Sequence, residues 1–162
     1  MMGLGENSNT VHIIDFGLAR SFIDPKTGEH IPPRKYRSLV GTCLFCSLNS
    51  HNGTELSSRD DLITIGYIVL LFLRGRLPWQ NVHATETKER YKKIAQLKQS
   101  WSNQQICEGL PPQILVYMDY VMSLRFDQPA SFEMMKRLVA DCAREYSIDL
   151  FDNVFDWNLR LC

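Results

Sequence analysis

The run "ITIGYIVLLFL", Ile63 to Leu73, holds eleven residues without a charge, and it is bracketed by Asp60, Asp61, Arg74 and Arg76. Spanning a bilayer takes about 20 apolar residues, so this run is too short for a membrane and reads as a core helix. Ser57 or Ser58 caps its start, with Asp60 and Asp61 in the first turn, where the helix dipole favours acids. Gly75 and Pro78 stop it near Leu73. The run is apolar almost all round, and such a helix needs cover on every side.

The remaining pattern is mostly helical. A charged helix runs from about Ala84 to Leu97, with Glu86 and Arg90, and Glu89 and Lys93, four apart on a solvated face. "PPQILVYMDYVMSLRF" opens on prolines and then repeats apolar residues at Ile114, Tyr117, Val121 and Leu124. A last helix covers Ser131 to Glu145, with Phe132, Met135, Leu138 and Cys142 on one side. Before the helices stand a short strand at 11–14 and a Pro-, Gly- and charge-rich loop at 24–40. The fold class expected is mainly α, with one small β element at the start.

The chain has 162 residues, which suits one domain or one lobe of a larger one. Lys+Arg and Asp+Glu are 18 each, which argues against a nucleic-acid footprint. Five scattered cysteines and no secretory leader point to a reduced compartment, the cytoplasm with the nucleus as alternative. "TKERYKK" at 87–93 is a weak nuclear signal and reads better as a solvated helix face. In Cys43-x-x-Cys46 a single pair lacks the second pair that a zinc site needs, so structural thiols are the better reading. His12 sits on the expected strand as a packing residue, and Trp79 and Trp157 are most simply core.

The stretch "VHIIDFGLAR", Val11 to Arg20, adds a chemical signal: an apolar strand runs into Asp15-Phe16-Gly17, the D-F-G of protein kinases. A long loop then leads to Gly41-Thr42. With "IIDFGLAR", "DPKTGEHIP", "SRDDL", "LRGRLPWQ", "ERYKKI", "SLRFD" and "VFDWN", the sequence resembles the casein kinase I family of Ser/Thr protein kinases across nearly its whole length. The related vaccinia-related or tau-tubulin kinase branch, hinted at by "HNG" at 51–53, is the alternative. "SLN", Ser47 to Asn49, stands where most kinases have Ala-Pro-Glu, and Ser-x-Asn there is a mark of this family.

The resemblance implies a helical C-terminal lobe of the protein-kinase fold: a partial kinase domain over 1–162, with an activation segment at about 15–49 and a helical lobe at about 57–150. Asp15 is then the magnesium ligand, because a carboxylate is a hard oxygen donor and Mg²⁺ bridges it to the phosphates of ATP. Phe16 packs beneath it and Gly17 permits the backbone swing. Gly41 and Thr42 belong to the same segment, and Thr42 helps form the substrate cleft. Asp61 is the structural anchor of the catalytic loop, with a plain first-turn cap as the bland alternative. Arg90 helps hold an acidic or phosphorylated substrate. The family's Arg-Tyr after Gly-Thr-x is Leu44-Phe45 here, and an apolar side chain cannot pair with phosphate. Asn81 replaces a family glycine at the same place.

The sequence contains no His-Arg-Asp, no glycine-rich G-x-G-x-x-G loop and no Val-Ala-x-Lys. The resemblance implies that the chain begins about where the family's catalytic loop ends. The expected function is therefore that of a fragment of a casein kinase I-like Ser/Thr kinase, inactive as this chain alone, with a non-catalytic pseudokinase-like binding module as the alternative. The cofactors implied are Mg²⁺ and ATP in an intact parent, held weakly or not at all here. The partner implied is a protein substrate or partner chain at the cleft, with no nucleic acid and no membrane.

Overall fold

The computed structural model describes residues 1–35 and 39–155. Its α-helices in chain order are α1 (Leu48–His51), α2 (Ser58–Arg74), α3 (Thr87–Ser100), α4 (Asn103–Ile106), α5 (Pro112–Ser123) and α6 (Phe132–Glu145). The fold is mainly α. Helices α2 and α5 pack together, α5 also carries α6 and α4, and α1 rests on α3.

Helix α2 is the hub. Ser57 is its N-cap, and the Asp60 carboxylate accepts from the Ser57 amide at 2.9 Å, satisfying a donor that the helix start leaves open. Gly75 ends it at φ 74°, with its amide returning to the Leu71 carbonyl at 2.8 Å. That left-handed turn suits glycine. The helix buries Leu62, Ile63, Tyr67 and Leu70. Gly66 lets α5 approach closely: a Cβ there would lie 2.5 Å from the Met118 sulfur. The Tyr117 hydroxyl closes the seam by donating to the Leu62 carbonyl at 2.8 Å. Not every side is covered. Ile65, Phe72 and Leu73 of the same helix are exposed, Phe72 by 79%.

Several expectations need correction. No strand forms at 11–14; Val11 makes one isolated antiparallel bridge to Met2. An apolar strand is held by neighbouring strands and a covering layer, and the described residues offer neither, so Val11, Ile13 and Ile14 are exposed. His12, expected to pack, is exposed with them. The charged helix starts at Thr87, not Ala84, and runs on to Ser100. Glu86 is thereby its N-cap, outside the helix, and pairs with no base; Arg90 Nε donates instead to the Val82 carbonyl at 3.2 Å. The Glu89–Lys93 pair forms at 2.8 Å. On α6 the buried positions are Met135 and Ala143, while Phe132 is 60% exposed at the helix start. The motif "VFDWN" and Trp157 lie wholly or partly outside the described residues.

The one-turn helices α1 and α4 are too short to leave a periodic trace in the sequence. Each is set by a serine N-cap instead: Ser47 Oγ accepts from the Ser50 amide at 3.3 Å, and Ser102 Oγ from the Gln105 amide at 3.2 Å.

Candidate functional site

Asp15 adopts a left-handed backbone, φ 61°, and its Oδ1 accepts from the Gly17 amide at 3.2 Å. The carboxylate thus caps the single 3₁₀ turn Phe16–Leu18. The backbone freedom expected at Gly17 is used at Asp15 instead. What Gly17 provides is space, since a Cβ there would stand 3.1 Å from Asp15 Oδ1. Phe16 does not pack beneath Asp15. It is 68% exposed, because no apolar element of the described residues covers it.

Asp15, Phe16, Gly17, Gly41, Thr42 and Asp61 all line one cavity of about 660 Å³. Gly41 takes φ 87°, and the Thr42 carbonyl accepts from the amides of Phe45 and Cys46, both at 2.9 Å. These bonds fold residues 41–46 into a tight loop whose rim is Thr42. Arg90 is not among the lining residues; it stands on α3, outside the cavity.

The loop is fastened from below by a residue the sequence reading passed over. Lys98, buried on α3, donates from Nζ to the Cys46 carbonyl at 2.6 Å and the Cys43 carbonyl at 2.9 Å. It stands 3.3 Å from His51 Nε2 and lies over the rings of Tyr67 and Trp79, at 5.2 and 5.4 Å from their centres. Carbonyl dipoles and ring faces both favour a cation. Burial opposes them and pushes the ammonium down to a pKa of about 8. The same burial, with the Lys98 charge adding to it, lowers His51 to about 4. Trp79 adds a third tie, its indole donating to the Leu44 carbonyl at 2.8 Å. The signal for Lys98 was available: it follows buried Ile94 by four, on the inward face of an otherwise charged helix.

A second clasp holds the end of the loop. Asp60, not Asp61, is the connected acid of α2. Its Oδ1 accepts from Ser47 Oγ at 2.5 Å and from Asn49 Nδ2 at 2.8 Å, its Oδ2 from the Ser57 amide at 2.9 Å, and Arg59 Nε stands 3.6 Å away. The cap foreseen as the bland alternative for Asp61 therefore belongs to Asp60, one position earlier. Asp61 makes no hydrogen bond among the described residues. Its carboxyl is raised by burial and by Asp60 beside it. The spacing Ser57-x-x-Asp60 was the readable sign. Ser47 and Asn49, noted only as a family mark, turn out to be the partners of that acid.

Cys43 and Cys46 are buried and free. Burial raises both thiols, so they stay protonated and inert. Among the described residues no group of three His, Cys, Asp or Glu side chains is placed to hold a metal ion.

A D-F-G turn, a long loop leading to Gly41-Thr42 and a helical body are consistent with the helical C-terminal lobe of a protein kinase. No protein-family model matches the chain. The chain is 43% identical over 153 residues to casein kinase I homolog 2 of Schizosaccharomyces pombe; the match covers 94% of this chain and 35% of that protein. The chain belongs to the casein kinase I family. It spans about a third of the length of the curated relative it matches.

Proposed function

We propose that these residues form the metal-binding and substrate-side part of a Ser/Thr kinase, and that the chain by itself transfers no phosphoryl group. The observation that carries this reading is the convergence of Asp15, Thr42 and Asp61 on one cavity. In a complete enzyme Asp15 would hold Mg²⁺, which would supply charge neutralisation to a nucleotide's phosphates. Thr42 sets the rim where a substrate chain lies, Asp61 offers its unpaired carboxylate to backbone amides of a catalytic loop, and Arg90 faces an acidic substrate from outside the cavity. Leu44 and Phe45 turn inward onto the core, which leaves this rim one cation short of the family pattern. No residue here orients the substrate hydroxyl, and the lysine and glycine-rich loop that hold the phosphates are not in the sequence. Positioning effects of that kind are each worth orders of magnitude.

The test joins the chain to the preceding part of the fission-yeast relative. Labelled ATP and casein then give turnover that Asp15→Asn lowers by at least about a hundredfold. The 162 residues alone stay at the blank. Turnover by the isolated chain, or a fusion indifferent to Asp15→Asn, overturns the reading. A non-catalytic binding module is the second reading, favoured by the fact that Lys98 and Asp60 hold the cleft rim with no help from catalytic groups. Peptide binding at the rim by the isolated chain, without turnover, would select it.

A further inference from the structure

At the far end of α2 a second pocket, of about 490 Å³, is lined by Arg74, Arg76, Leu77, Pro78, Asn81 and Trp101. It shares no lining residue with the cleft, and Thr42, Leu44 and Arg90 are not part of it; Asn81 is the one lining residue that the family resemblance also sets at the substrate side. Two guanidinium groups line it and no acid does. Neither has a carboxylate within 4 Å among the described residues. Arg74 is held in place by its Nη2, which donates to the Glu108 carbonyl, while its Nε is buried without a partner. Arg76 is exposed and makes no hydrogen bond or ion pair among the described residues. Both residues line the pocket, and a guanidinium is suited to an oxyanion. The C-termini of α2 and α3 both lie at this pocket and their dipoles oppose an anion, but together they amount to about one charge against two full cations.

The rest of the lining is aromatic and amide. Trp101, at the end of α3, is 38% exposed and gives an indole surface. Asn81 carries both a donor and an acceptor. Leu77 and Pro78 complete an apolar wall, and the volume suits a small ligand. We propose that this pocket binds a nucleoside monophosphate, with the phosphate between Arg74 and Arg76, the base against Trp101, and Asn81 at the base edge. Stacking on an indole and charge-assisted bonds to phosphate are the two recognition terms.

Calorimetry on the full chain tests it with adenosine 5′-monophosphate, adenosine, ribose 5-phosphate, phenyl phosphate and inorganic phosphate. The monophosphate binds at least about tenfold tighter than either adenosine or ribose 5-phosphate, since each lacks one recognition term. Arg76→Ala and Trp101→Ala each weaken it by a similar factor, Arg137→Ala leaves it unchanged, and melting curves confirm that the variants fold. Inorganic phosphate or ribose 5-phosphate binding equally well would reduce the pocket to an anion trap and overturn the proposal. Phenyl phosphate matching the nucleotide would overturn the assignment of the base. Loss of binding with Asp15→Ala but not with Arg76→Ala would place the nucleotide in the cleft and overturn it as well.

Discussion

The Lys98 ammonium reaches the Cys46 carbonyl at 2.6 Å, fastening helix α3 to the loop that forms the rim of the cleft. Replacing Lys98 by methionine removes the cation and strands the Cys43 and Cys46 carbonyls. The relief of burying one charge less offsets part of that loss. The net expectation is destabilisation by about 1–3 kcal/mol, read as a lower urea midpoint at unchanged slope.

Adjacent acids on α2 should behave oppositely. Asp60→Ala strands three donors, two of them the side chains of Ser47 and Asn49 at α1, and should cost about 3–4 kcal/mol, as removal of one partner from a buried charged network does. Asp61→Asn touches no partner and relieves repulsion with Asp60. It should fall within about 0.5 kcal/mol of the parent, or on the stabilising side. Chemical denaturation of both variants decides, and equal losses would contradict the geometry.

Gly66→Ala pits helix propensity against space. Alanine gains about 1 kcal/mol over glycine in a helix interior. Its Cβ, however, would sit 2.5 Å from the sulfur of fully buried Met118 and 3.1 Å from the Tyr117 ring. Overpacking of that kind costs about 1–3 kcal/mol. Packing should win, with a lower melting temperature, and Met118→Ala in the same chain should recover part of the loss.

His51 gives the fold an acid-sensitive element. Its folded pKa lies near 4, below the ordinary 6.5. The unfolded chain therefore binds the proton more readily. The contribution is complete above 6.5 and is lost as pH falls through 4. Asp61, raised by its surroundings, titrates with the opposite slope. The comparison is thus made between parent and His51→Gln: unfolding midpoints from pH 7 to 4 should fall less steeply in the variant.

Much of the helical frame was legible before any coordinates. The apolar run at 63–73 could only be a buried helix, and Ser57, Gly75 and Pro112 marked ends where the backbone needs a cap, a left-handed residue or no amide. The D-F-G turn, Gly41, Thr42 and Asp61 line one cavity. The misses have physical causes. Residues 11–14 have strand composition, but a strand is stabilised by partners, and local pattern carries no information about those. Phe16 and Phe132 are apolar yet exposed, for the same reason. Lys98 was passed over and Asp60 was read only as a first-turn acid, because charged residues are ordinarily solvated; their burial rests on contacts with residues far apart in sequence.

Asp60 serves α2 and the segment Ser47–Asn49 with the same carboxylate. The rim can therefore find its position only once the first turn of the hub helix has wound, and it lets go when that turn frays. Folding order and cleft integrity are joined at a single side chain, and hydrogen exchange at Ser50 and at Asp60 should report one opening event rather than two.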